Sequence, residues 1–140
     1  MRLFFISEKI NKNIERKYLA EWMKPFFPKN RLSQFGLKSD FFSKSEDPAK
    51  AHILILPLTW NYYFEIDKVN YASSIIDEYL KFKKPIFTWA NGDFKLKIPD
   101  GNFFLFQNNC YYSKRKINEY AYPVIIRDPL KYLKMNSIKI

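Results

Sequence analysis

The sequence is poor in residues on which several kinds of functional site depend. Its 140 residues include one cysteine, Cys110, and one histidine, His52. An intramolecular disulfide needs two cysteines, and cysteine-rich metal sites and hydrolytic triads are disfavoured by the same scarcity. With three glycines in the chain, neither standard glycine-rich phosphate-binding loop occurs. We therefore expect no disulfide, no metal and no cofactor, and a reducing compartment.

Long apolar runs are also missing. No stretch approaches the roughly 20 apolar residues that a membrane-spanning helix needs. The apolar start at residues 3–6 is too short for a signal peptide, and charged residues follow it directly. The sequence therefore predicts a cytoplasmic protein without a membrane span.

Positive charge exceeds negative charge in this chain. The 24 Lys and Arg residues and 14 Asp and Glu residues give a net charge of +10. Such an excess favours polyanionic partners, among them nucleic acids, acidic glycans and nucleotide phosphates. It is also typical of the lysine-rich composition that an AT-rich genome produces. The charge alone does not separate these two interpretations.

Five short segments are typical of strands in a buried parallel sheet. They cover residues 3–6, 51–57, 85–90, 102–106 and 123–126. Because the clearest of them are apolar without alternation, both faces of the sheet are expected to be covered.

The region between the second and third of these strands has the pattern of an amphipathic helix. Over residues 68–82 the apolar positions recur at intervals of three and four. Asp67 is the predicted N-cap, and Pro85 ends the helical pattern. A less clear helix is predicted over residues 14–23, and residues 29–48 are predicted to be mostly loop with a short strand near Phe35. The fold prediction is one α/β domain over residues 1–140, Rossmann-like and three-layered, with a mostly parallel sheet of about five strands.

Polar and aromatic side chains follow several of the predicted strands. Because ligands bind at the carboxyl ends of parallel strands, we expect these side chains to form one binding edge. Aromatic rings beside amides and a carboxylate suit a sugar or a base. The alternative is that the aromatic residues pack in the core and the polar ones form a turn. The candidates are Trp60, Asn61 and Tyr63 after the second strand, and Asn91, Gly92 and Asp93 after the third.

A basic segment at residues 112–119 supplies further candidates. Arg115 and Lys116 are suited to a phosphate or an acidic glycan, and Glu119 lies at the end of the same segment. The alternative interpretation is a solvated loop.

The segment DPAKAHILILPL at residues 47–58 resembles the exostosin-type glycosyltransferase family, in which a similar segment leads into an early strand of the N-terminal half. Later features are similar to bacterial relatives of that family and occur in the same order. They are WNYY at residues 60–63, KPIF at 84–87, GDF at 92–94, residues 112–119, and Tyr122 with Pro123. The resemblance covers roughly residues 45–130.

The resemblance implies one half of a GT-B-like enzyme with two facing Rossmann-like halves. In that arrangement the C-terminal half grips the sugar nucleotide and the N-terminal half shapes the acceptor side. The expected function is thus an acceptor-side domain in glycan or surface-polysaccharide biosynthesis, inactive alone, that pairs with a missing donor-binding domain or subunit. Its expected partner is a glycan acceptor or a sugar nucleotide.

Residue roles follow from this expectation. Asp93 is the predicted catalytic residue, which orients or deprotonates an acceptor hydroxyl. Trp60 and Tyr63 would stack on a sugar ring, and Arg115 would contact a phosphate or an acidic sugar. The other predicted substrate-binding residues are Asn61, Asn91, Gly92, Lys116 and Glu119.

Two functions of other classes remain as alternatives. A basic nucleic-acid-binding module would account for the net charge, although the even scatter of lysines argues against it. A non-catalytic interaction domain that docks a second half is the other alternative.

Overall fold

A parallel β-sheet organises the molecule in the computed structural model, which describes residues 1–6, 10–11, 13–92, 96–108 and 116–122. Within these residues the sheet has six strands in the order β2-β1-β3-β4-β5-β6, and every neighbouring pair is parallel. The strands are β1 Arg2–Phe5, β2 Ser43–Lys44, β3 Ile53–Ile55, β4 Ile86–Ala90, β5 Phe104–Gln107 and β6 Glu119–Ala121. The predicted α/β fold with a parallel sheet is confirmed.

Four of the five predicted strands are present, and they differ from the predicted ranges at their ends. The fifth, over residues 123–126, lies outside the described residues. Two further strands, β2 and β6, were not predicted. The expected strand near Phe35 is wrong, because Leu32–Phe35 forms a 3-10 helix that ends at Gly36 with φ 68°.

Two α-helices lie between β3 and β4 in the described part of the chain: α1 at Trp60–Glu65 and α2 at Val69–Tyr79. The helix predicted over residues 68–82 corresponds to α2 and the 3-10 turn Leu80–Phe82. The predicted N-cap is wrong: Lys68 takes that position without a side-chain bond, and Asp67 has φ 54°. Neither α1 nor α2 has the length and the apolar run of a transmembrane helix, and the rest of the described chain has no such helix.

The two faces of the sheet are covered differently. On one face, α2 packs on β1 through the rings of Tyr79 and Phe4, whose centroids are 5.8 Å apart. On the other face Trp22 lies against Phe87 and Trp89 of β4, at 5.5 and 6.0 Å between ring centroids. The layer on this second face is the chain between β1 and β2, and its described residues contain 3-10 turns in place of an α-helix.

The helix expected over residues 14–23 is therefore wrong, and the backbone hydrogen bonds give the reason. Ala20 N–H donates to the Pro57 carbonyl at 2.9 Å, and Thr59 N–H donates to the Tyr18 carbonyl at 2.8 Å. Leu19 and Leu58 form an antiparallel bridge between these bonds. Because these backbone groups bond to the segment after β3, they are not available for a helical ladder. Arg16–Tyr18 forms a 3-10 helix instead.

Candidate functional site

The carboxyl edge of the sheet is organised by a pair of asparagines. Asn61 lies in the first turn of α1, the helix that follows β3, and Asn91 directly follows β4. The Asn61 side-chain amide donates to the Asn91 carbonyl and accepts from the Asn91 backbone N–H, each at 2.7 Å. These two bonds fix where the chain leaves β4. They also fix the start of the turn at Gly92, whose φ of 92° favours glycine.

The Asn91 side chain joins two more segments to this edge. Its Nδ2 donates to the Lys17 carbonyl at 3.0 Å, and its Oδ1 accepts from the Tyr122 hydroxyl at 2.5 Å. Asn91 thus makes four hydrogen bonds to three different parts of the chain. Asn61 and Asn91 were predicted to bind substrate; the structure brings them together, but their amides are engaged in holding the edge.

Trp60 and Tyr63 were predicted to stack on a sugar, and the structure buries both. They are 0% and 1% exposed. The Trp60 Nε1–H donates to Thr88 Oγ1 at 3.1 Å, and its ring lies 5.5 Å from that of Phe103. The reason is that residues 60–65 form a helix, which turns both rings toward the sheet. The stacking role is therefore corrected: neither ring face is open to a ligand, and both belong to the core.

A carboxylate lies buried near the same edge. The Glu21 side chain is 2% exposed, and it pairs with the ammonium group of Lys24. Its second oxygen, Oε2, has no hydrogen-bond partner. Burial, together with the negative charge of Glu21, raises the pKa of the Tyr122 phenol. Neither Glu21 nor Tyr122 was a predicted site residue, because in the sequence Glu21 is one charge inside an expected helix.

Two of the predicted residues line a groove on the helical face of β5 and β6. Its volume is about 450 Å³. The apolar lining consists of Leu96, Ile98 and Leu105, and the polar lining of Lys97, Gln107, Lys116 and Glu119. We call this the β5–β6 groove.

The parallel register of β5 and β6 places the side chain of Glu119 in the β5–β6 groove. Leu105 of β5 is paired with Glu119 of β6, so both side chains lie on the same face of the sheet. Glu119 is 7% exposed, and its Oε2 accepts from the Lys116 backbone N–H at 3.1 Å. The carboxylate is therefore held in a fixed position and is largely shielded from water.

Lys116 lies at the mouth of the β5–β6 groove. Its ammonium group pairs with Asp100, and this hydrogen bond raises the pKa of Lys116. The Lys116 side chain is half exposed. Lys97 adds a second positive charge, and Gln107 places an amide at the carboxyl end of β5. Neither Lys97 nor Gln107 was a predicted site residue. The position of Gln107 directly after an apolar strand segment was the signal that could have found it.

Asp93 and Arg115 lie outside the described residues, so their predicted roles stay predictions. In the sequence they adjoin described parts of the site, since Asp93 follows Gly92 and Arg115 precedes Lys116. Among the described residues, no group of three His, Cys, Asp or Glu side chains is placed to hold a metal ion.

The fold and these features define a class: a parallel α/β protein with a polar carboxyl edge and an open groove on its last two described strands. Comparisons with protein-family models, with curated proteins and with solved structures found no match to the chain.

Proposed function

We propose that this chain is the acceptor-side half of a glycosyltransferase-like protein, and that the β5–β6 groove binds a glycan acceptor. The observation that carries the proposal is the composition of the groove. Leu96, Ile98 and Leu105 give it an apolar floor, while Gln107 and Glu119 supply hydrogen-bonding groups. A sugar ring has C–H faces and hydroxyl edges, and this lining suits both.

The charges of the β5–β6 groove favour an acidic or phosphorylated acceptor. Lys97 and Lys116, the latter paired with Asp100, bring positive charge to the groove, and the one carboxylate in its described lining, Glu119, is buried. In this proposal Glu119 accepts a hydrogen bond from a sugar hydroxyl, and the lysines contact an anionic substituent. The proposed catalytic residue remains Asp93, which follows the turn at Gly92, and Arg115 would extend the cationic side.

Transfer in this proposal also needs a donor-binding α/β half, supplied by another domain or subunit. The resemblance to the exostosin-type family and the parallel sheet both support that arrangement. The chain alone is expected to bind the acceptor without transferring a sugar. Binding is therefore the activity to test first.

The test is a glycan array probed with the chain, followed by calorimetric titration of the best acidic glycan. Gln107→Ala and Glu119→Gln should each weaken binding about tenfold, the effect of losing one well-placed hydrogen bond. Gln34→Ala and Glu78→Gln are matched controls, since both residues are exposed and lie outside the groove. Binding to no glycan, or binding that all four variants retain equally, would overturn the proposal.

A parallel titration with single-stranded DNA and RNA separates the nucleic-acid alternative. Nucleic-acid binding through lysines falls steeply as salt concentration rises. Tighter binding to the nucleic acids than to any glycan, with that salt dependence, would replace the glycan proposal.

A further inference from the structure

A second cavity lies at the other end of the sheet, where β1 and β2 reach their carboxyl ends. Its volume is about 450 Å³. We call it the β1–β2 cavity. It shares no lining residue with the β5–β6 groove, so binding at this cavity does not depend on the proposed function.

The position of the β1–β2 cavity relative to the strands favours a ligand. The cavity lies outside the carboxyl ends of β1 and β2, which pair in parallel at the edge of the sheet. In open parallel sheets, ligands bind outside the carboxyl ends of the strands. The reversal in strand order lies next to the cavity, between β1 and β3.

Most of the residues that line the β1–β2 cavity are apolar or aromatic. Phe5 ends β1 and Ile6 follows it, and Met23, Phe26 and Phe27 come from the layer over this face. The rings of Phe5 and Phe26 are 5.4 Å apart and tilted by 57°. Tilted phenyl rings offer both faces and edges, which suits a flat aromatic guest better than a round aliphatic one.

The rim of the β1–β2 cavity is polar and is held in place by a turn. Ser45 is buried; its hydroxyl donates to the Asp47 carbonyl at 2.8 Å and accepts from the Asp47 N–H at 3.3 Å. Its backbone N–H donates to the Leu3 carbonyl at 2.7 Å. These bonds fix Lys44 and Glu46 on either side of Ser45. Their side chains form an ion pair at 3.3 Å and remain 52% and 86% exposed.

From this arrangement we infer that the β1–β2 cavity binds a nucleoside phosphate. The base lies against the rings of Phe5, Phe26 and Phe27, and the phosphate contacts Lys44 at the rim. Lys44 provides a single positive charge in place of a glycine-rich loop, which the sequence lacks. The site therefore recognises the base and one phosphate.

The experiment titrates the whole chain with uridine and adenosine 5′-monophosphates, with the two nucleosides, and with octyl phosphate, followed by two-dimensional NMR. We expect saturable binding of at least one monophosphate. Lys44→Met should weaken its binding about tenfold and leave binding of the nucleoside within about twofold. Lys81→Met is the matched control, because Lys81 is an exposed lysine on the opposite side of the sheet.

Two further variants test the rest of the inference. Glu46→Gln frees Lys44 from its ion pair and should tighten binding of the monophosphate alone. Ile10→Trp, placed at a residue that lines the cavity, should fill it and abolish binding of nucleoside and monophosphate together. The chemical shifts of residues remote from the cavity report whether that variant is folded.

The inference is overturned if neither monophosphate binds, or if folded Ile10→Trp binds as well as the unmodified chain. It is also overturned if Lys44→Met has no effect, if Glu46→Gln weakens binding, or if octyl phosphate binds as tightly as the monophosphates. A further arm with a uridine diphosphate sugar identifies the source of the nucleoside phosphate. Tighter binding than the monophosphate indicates a sugar nucleotide, and equal or weaker binding indicates a free nucleotide; either result supports the site.

Discussion

Single buried hydroxyl groups differ sharply in what they contribute to this protein. Thr88 and Thr59 are both 0% exposed. Thr88 Oγ1 accepts from the Trp60 indole N–H at 3.1 Å and donates to the Phe104 carbonyl at 3.3 Å. Thr59 Oγ1, in contrast, is buried without a hydrogen-bond partner. The two threonines therefore allow the same substitution to be compared in opposite hydrogen-bonding states.

Thr88→Val should lower the free energy of unfolding by about 2 kcal/mol, because it leaves the buried indole N–H without an acceptor. Thr59→Val, the matched control, should be neutral or stabilising, since it removes a hydroxyl that is buried and unpaired. Urea denaturation followed by tryptophan fluorescence measures both. Equal losses in the two variants would show that the hydrogen bond to Trp60 contributes nothing.

Tyr122 links the end of β6 to the carboxyl edge through a hydroxyl that must keep its proton. Burial and the nearby charge of Glu21 raise the pKa of this phenol above its ordinary value, and its O–H donates to Asn91. A phenol with a higher pKa in the folded state than in the unfolded state stabilises the fold below the unfolded pKa of about 10. That contribution is lost as the pH rises further.

The consequence is a specific alkaline signature. At pH 7, Tyr122→Phe should be less stable than the unmodified chain by about 1 kcal/mol, the value of one hydrogen bond. Above about pH 10 the unmodified chain should lose stability more steeply, so that the two curves of unfolding free energy against pH converge. Urea denaturation at a series of pH values gives both curves. Parallel curves above pH 10 would contradict a raised pKa for the Tyr122 phenol in the folded state.

At the scale of elements, the end of α2 carries a residue in an unfavourable conformation. Lys83 caps the 3-10 turn Leu80–Phe82 with φ 53°, the left-handed region that favours glycine. Its N–H donates to the Leu80 carbonyl at 3.0 Å, which closes the turn. The chain then enters Pro85 and β4.

Lys83→Gly should therefore raise the free energy of unfolding by about 1 kcal/mol, because glycine adopts this conformation without the clash of a Cβ. Lys84→Gly removes the same side chain one residue later, where φ is not positive, and should destabilise by a few tenths to about 1 kcal/mol. Thermal unfolding of the two variants measures both changes in stability. A stabilising Lys84→Gly, or a destabilising Lys83→Gly, would show that the left-handed conformation of Lys83 does not cost stability.

Some of the strands and helices could be predicted from the sequence, and others could not. Apolar runs predicted β3 and β4, because strands covered on both faces are typically near-continuous runs of apolar residues. They did not predict β6, whose residues Glu119–Ala121 have no apolar run and owe their strand form to pairing with β5. The short aromatic segment at Trp60–Glu65 fits a loop, a strand or a helix equally well, and packing decides among them.

The candidate site was predicted in part for the same reasons. Strand ends predicted that Asn61 and Asn91 would lie at one edge, because carboxyl ends of parallel strands meet there. The composition of the edge did not show that the amides bond to each other. Nor did it show that Trp60 points inward, because the orientation of a ring depends on the helix that follows β3. The β1–β2 cavity was not predicted, since it forms between a strand end and residues about 20 positions away in an irregular layer.

At the scale of the whole molecule, two unequal layers cover the sheet. Regular helices cover the face of Phe4, Leu54 and Ile86, and hydrogen bonds within each helix hold that layer together. The opposite layer contains little regular structure in its described residues. Backbone hydrogen bonds tie residues 18–20 to residues 57–59, and side-chain packing attaches the layer to the face of the sheet. Trp22 is the centre of that attachment, since its ring contacts Phe42, Phe87 and Trp89.

Trp22→Ala should accordingly lower the free energy of unfolding by about 3 kcal/mol, the usual cost of removing a large ring from a packed site. Phe41→Ala is the matched control: it removes an aromatic ring from the same layer, but Phe41 is 64% exposed and should change stability by no more than about 0.5 kcal/mol. Trp22→Phe should fall between the two, because it keeps one ring against β4. Urea denaturation followed by circular dichroism measures all three. If Trp22→Ala and Phe41→Ala cost the same, packing of Trp22 is not what holds this layer to the sheet, and the walls of the β1–β2 cavity would need another support.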